Sequence, residues 1–125
     1  MTPILIKSFR AGAAAIAGYL IVKSVGGHAE LATASTDPLI GAAGSLGAPA
    51  GGMVDVTEAG WSEVRAGGNI SDGDPLTANN LGKAIKAVPV AGSVVRIIGF
   101  ARSDASDDDV IPYLVAPGVI ATPAP

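Results

Sequence analysis

The stretch "VVRIIGFARSDASDDDVIPYLVA", residues 94–116, decides what kind of fold this chain can form. Val94, Val95, Ile97, Ile98 and Phe100 are β-branched or aromatic, the residue types that suit a pleated, half-buried strand. "DASDDD" (104–109) is a polar tip, and "VIPYLVA" (110–116) returns with the same composition. Strand, turn, strand reads as an antiparallel pair.

The same punctuation recurs outward in both directions. In "GGNISDGDPLTANNLGKAIKA" (67–87), Gly67-Gly68 and Asp72-Gly73 are turn dipeptides, Pro75 fixes φ on entry to "PLTA", and Asn79–Gly82 turns again into "KAIKAV". That stretch reads as two corners around a short hairpin. "GYLIVKSV" (18–25) meets Gly26-Gly27 and continues as "HAELATA" (28–34), a second hairpin. "MVDVTEAG" (53–60) alternates apolar and polar residues, and "WSEVRA" continues it past a kink at Gly60. "PLIGAAGSLG" (38–47) is a further strand candidate, and "PILIKSF" (3–9) is a first strand or an extended arm. Only "AGAAAIAG" and "ANNLGKAIKAV" could turn at a helical period, and glycine interrupts both. The expectation is an all-β fold: a small antiparallel β-barrel or sandwich with long Gly/Pro-rich loops. Residues 1–10 are expected to form an N-terminal arm, 11–118 a single β domain, and 119–125 a Pro-rich tail.

Composition limits the core. Of 125 residues 49% are apolar, yet the aromatics are only Phe9, Tyr19, Trp61, Phe100 and Tyr113, so Ala, Val, Ile and Leu must fill the interior. Small side chains bury little area each, and oligomerisation would compensate. The net charge of −3 argues against general binding of nucleic acid. The bases Lys7, Arg10 and Lys23 gather in residues 1–29, which hold no acid, ahead of an acidic body. Lys7 and Arg10 precede "AGAAAIAGYLIV" in the layout of a secretory signal, but "PILI" precedes the charges and Lys23 ends the run before a good cleavage site. The run also falls short of the roughly 20 apolar residues that span a membrane.

No set of residues suits catalysis. There is no cysteine, hence no disulfide, thiolate nucleophile or zinc ribbon. A phosphate loop needs Gly-Lys followed by Ser or Thr, with a glycine five positions before the Gly-Lys. Here Ala84 follows Gly82-Lys83, and Thr77 stands where that first glycine belongs. His28, the single histidine, adjoins a tight turn with no neighbouring Ser–acid pattern. Asp72, Asp74 and the Asp104/Asp107/Asp108/Asp109 group offer oxygen ligands, but neither group has the spacing of a calcium loop with its distal Glu. A solvated tip is the plainer reading of those acids. No catalytic, cofactor-binding or metal site is assigned.

The pattern Ala66-Gly67-Gly68, Ile70, "GDPLTA" (73–78), "GKA" (82–84) and "KA" (86–87), then "IIGFA" (97–101), an acidic tip and "VIPYLVAPG" (110–118), resembles the small capsid decoration proteins of tailed bacteriophages, also called head-stabilising or cement proteins. The resemblance runs from about Met53 to Gly118, with a weaker echo in "GYLIVKSVGG"; the Ala/Gly-rich segment 41–52 departs from it. It implies a β-tulip-like fold and a virion location, as homotrimers on the outer capsid surface bound to the major capsid protein. It also implies an N-terminal arm that helps grip that protein, and no catalysis or cofactor.

The residues themselves point to contacts in the same places. Pro3, Ile4, Leu5, Ile6 and Phe9 form a β-prone apolar stretch suited to strand addition onto a capsid or subunit partner. A plain edge strand of its own sheet is the competing reading. Trp61 reads as a core or subunit-interface anchor. The alternative is a sugar- or surface-binding β module of a phage tail or secreted adhesin, in which Trp61 would be the stacking platform.

Overall fold

In the computed structural model residues 3–121 are described. The Gly26-Gly27 turn shows how local chemistry sets the architecture. β2 (Ile21–Val25) and β3 (His28–Leu31) pair antiparallel, Val25 against His28, and the two glycines between them take φ of 56° and 84°. Positive φ at both loop residues is what a two-residue hairpin needs if its strands are to keep their right-handed twist. The other strands are β1 (Pro3–Arg10), β4 (Leu39–Ala42), β5 (Met53–Arg65), β6 (Pro75–Ala78), β7 (Ala84–Lys86), β8 (Val94–Ala101) and β9 (Val110–Ala121). Neither helix candidate forms; "ANNLGKAIKAV" is instead the turn and return strand of the β6–β7 hairpin. No helix in the described residues is long and apolar enough to cross a membrane.

Two antiparallel sheets result, ordered β1-β5-β9-β8-β6-β7 and β3-β2-β4. They do not close into a barrel, so of the two expected architectures the sandwich is the one found. β5 ties the molecule together. Its first half, Met53 to Gly60, pairs with β1, and its second half, Gly60 to Arg65, pairs with β9. The small sheet meets β5 through an isolated bridge between Ala43 and Val56. The Ala/Gly-rich segment 41–52 carries that bridge and a second one, Ala48 to Ile16. Small residues are required where backbones run this close: a Cβ on Gly18 would overlap the Ser45 carbonyl.

Where β2 and β4 enter the interior they are apolar on both faces, because they divide it. Ile21 and Ala42 point into a cluster with Val64, Leu76, Ile98 and Tyr113, whereas their neighbours Val22 and Ala43 point into a second cluster with Val54 and Val56. Alternation along β2 and β4 thus serves two cores at once. A third cluster, Ala87, Val95 and Ile97 with Phe100 and Ile120 against it, lies on the other side of β8. A register shift between Ile97 and Gly99 inverts the alternation, so Ile98 and Ala101 face the first cluster while Ile97 and Phe100 face the third. Each fully buried Val, Ile or Leu contributes about 1.5–3 kcal/mol. Tyr113, at 0% exposure, is the largest of the fully buried side chains. Its oxygen accepts a 3.2 Å hydrogen bond from the Ala42 amide, tying β9 to β4. Burial pushes the phenol up to about 12, against smaller opposing effects of the Ala42 and Ser62 hydrogen bonds.

Several expectations meet these facts directly. Pro3–Arg10, the expected arm, is a strand of the chain's own sheet, paired with β5 from Pro3 to Arg10. β9 continues past the expected start of a tail to Ala121; residues 1–2 and 122–125 lie outside the described residues. Trp61, expected as a core or subunit-interface anchor, is 40% exposed and so lies outside the core of the single chain. Of the apolar residues in "VVRIIGFA", Ile97 and Ile98 are buried and Phe100 is half-buried.

Candidate interaction surface

β1 is an outermost strand, so one of its edges bonds to β5 and the other has no partner strand among the described residues. Two register shifts, between Pro3 and Leu5 and between Leu5 and Ile6, bring Leu5 opposite Ala59 and Ile6 opposite Thr57. Leu5 and Ile6 are 48% and 52% exposed. Phe9 packs instead against the second cluster. Pro3 and Ile4 lie in the strand next to the bulge. The five residues expected at the N-terminus therefore share one strand, and Leu5 and Ile6 are exposed on it.

The outer face of β5 carries Met53, Asp55, Thr57, Trp61 and Glu63 at alternate positions. The turn Gly44–Gly47 stands over this face, with Leu46 at 97% exposure. Two cavities open between turn and strand and share Gly44, Ser45 and Thr57. One, of about 280 Å³, lies toward Ile6, Leu46 and Met53. The other, of about 330 Å³, lies between Tyr19 and Trp61, with Ser45, Thr57, Ser62 and Glu63 around it. No lysine or arginine lines either. Asp55 is held across the strands by the Ser8 hydroxyl at 2.6 Å. Tyr19 takes φ of 66°, an uncommon conformation for a bulky residue. Two backbone bonds fix it there, from its N–H to the Ala43 carbonyl at 3.1 Å and from the Arg65 N–H to its carbonyl at 2.9 Å.

The acidic tip is a set of turns. Asp104 accepts from the Asp72 amide at 2.8 Å and Asp109 from the Ser106 amide at 2.9 Å. Lys83 pairs with Asp108 and lies 3.9 Å from Asp107, while Arg65 donates to the Asp108 carbonyl at 2.9 Å. The Lys83 ammonium holds the Asp108 carboxyl below the usual carboxylate range, and Asp108 in turn raises Lys83. Among the described residues no three His, Cys, Asp or Glu side chains are grouped to hold a metal ion. His28 is exposed at the start of β3.

Trp61 and the β1 residues were legible in the sequence, but Tyr19 and the 44–47 turn were not. Residues 11–18 and 44–51 meet through one bridge, Ile16 to Ala48, between irregular segments, and no periodicity announces such a contact.

No protein-family model matches this chain, and no curated protein matches it. Among solved structures it is similar to the crystal structure of the head fiber gp8.5 N base in bacteriophage phi29, with a TM-score of 0.65. The match covers 90% of this chain and 95% of the other at 19% identity, which makes it a likeness of fold.

Proposed function

We propose that this chain is a structural component of a bacteriophage head, a decoration protein that binds the outer surface of the shell as trimers and stabilises it. The observation that carries the reading is the fold shared nearly end to end with a phage head fiber base. The open edge of β1 supports it. A strand of eight residues with exposed Leu5 and Ile6 offers a partner backbone hydrogen bonds and apolar contact together. The major capsid protein or a neighbouring copy would add its strand there. A protein that binds only the assembled shell stabilises it by mass action and needs no reactive group.

The test follows the chain through density-gradient purification of icosahedral particles from the cells that produce it. Banding with the particles, at a copy number divisible by three, is the expected result. Recovery of all the chain at the top of the gradient would overturn the reading.

A further inference from the structure

We propose that the cavity between Tyr19 and Trp61 is a binding site for a neutral sugar. This goes beyond the role proposed above and does not depend on it. The cavity brings together two of the chain's five aromatic residues, although the rest of its surface is poor in rings. Aromatic faces give the apolar C–H faces of a pyranose a flat, rigid surface at little conformational cost. The polar groups around them are the kinds that read hydroxyls. Ser45 and Thr57 each bring a hydroxyl that can donate or accept, and Glu63 brings a carboxylate that accepts. Among the described residues the Glu63 carboxylate and the Thr57 hydroxyl have no hydrogen-bond partner. At about 330 Å³ the cavity falls at the low end of the roughly 300–1,000 Å³ range of small-molecule sites.

The backbone also favours a prepared site. Tyr19 is held at φ 66° by its bonds to Ala43 and Arg65, and a residue kept in a sparsely populated conformation by its surroundings marks a place where geometry matters. Charge narrows the ligand. With Glu63 present and no lysine or arginine lining the cavity, uronic and sialic acids and phosphodiesters would meet a like charge with nothing to offset it. An uncharged saccharide fits. Trp61 differs in direction from the β1 edge: the edge presents backbone in the plane of the sheet, whereas Trp61 stands on the outer face of the β5–β9 pair.

Trp61 is the chain's single tryptophan, so its emission reports on this cavity alone. The native protein is titrated with maltotriose, cellotriose and chitotriose, with sialyllactose and a dithymidylate as charged controls. A saturable change with at least one neutral trisaccharide and none with the charged controls is expected. Tyr19→Gly removes the ring and suits the positive φ; it should weaken binding about tenfold, as loss of one stacked ring does. Should that variant unfold, Trp61→Ala followed by calorimetry carries the same comparison. No saturable response to any of the three, an equal response to sialyllactose or dithymidylate, or undiminished binding by the variant would overturn the proposal.

Discussion

Tyr113 concentrates in one side chain most of what aromatic burial does for this molecule. Replacing it with Phe keeps the ring but leaves the buried Ala42 N–H without its acceptor, a loss of about 1–3 kcal/mol. Replacing it with Ala adds a cavity and should cost about 3–5 kcal/mol. Urea unfolding of the two variants measures the difference, and an unchanged stability in the Phe variant would mean the hydroxyl contributes nothing. The same phenol gives an alkaline signature. Its folded value of about 12 lies above the ordinary 10.0 of a tyrosine, so the unfolded chain loses its proton first as pH rises. The stabilisation is fully present below the ordinary value and is lost as pH rises to about 12. Each pH unit between the two values is worth about 1.4 kcal/mol. Stability should therefore fall by roughly 2–3 kcal/mol more in the parent than in Tyr113→Phe over that interval. Asp108 works in the opposite direction. Its carboxyl is held down by Lys83, so that contribution is present above the ordinary 3.8 of an aspartate and disappears as pH falls through the lower folded value. Because the pair is at the surface, Asp107→Asn with Asp108→Asn should leave the melting temperature within experimental scatter at neutral pH. EDTA should likewise leave the parent unchanged. A large drop in the variant, reproduced by EDTA on the parent, would reveal an ion at the tip.

At the level of strands, Gly99 is the position least able to accept a side chain. A Cβ there would run into the Leu114 carbonyl of the adjacent strand β9, so Gly99→Ala must push apart a central pair of the large sheet. Loss of more than about 3 kcal/mol, or failure to fold, is expected. Wild-type stability on denaturant unfolding would show that the bulge absorbs the methyl group. Phe100 is half-buried on the third cluster, so Phe100→Ala should cost about half of the 3–5 kcal/mol typical of a fully buried ring. The strands and their turns were readable because Gly26-Gly27, Asp72-Gly73 and Asn79–Gly82 announce the corners in their own residue types. Which faces β8, β2 and β4 bury was not. The bulge at Gly99 inverts the period of two, and β2 and β4 are apolar on both sides where they enter the interior, so no alternating pattern distinguishes their faces. The candidate site was legible to the same extent: Trp61 stands out by type, whereas Tyr19 reaches its cavity only through a backbone conformation that sequence pattern does not encode.

For the molecule as a whole, the N-terminal strand has two separable duties. Inwardly it pairs with β5 and places Phe9 on the second cluster, so deleting residues 3–10 should destabilise the domain itself. Outwardly it shows Leu5 and Ile6, and Leu5→Lys with Ile6→Lys should keep the fold while a charged edge discourages strand addition. Circular dichroism of the double variant together with its co-sedimentation with particles separates the two duties. Native-like spectra with undiminished co-sedimentation would remove β1 from the contact. A further consequence concerns force. β5 pairs with β1 over one half and β9 over the other, and the two pairings meet at Gly60. A pull applied along β1 by a strand added to its open edge would act lengthwise on the β1–β5 ladder, loading its hydrogen bonds together instead of peeling them one at a time. From there it passes through β5 into β9, the strand that holds Tyr113. The domain is laid out as a lap joint, with β1 and β9 overlapping opposite halves of β5.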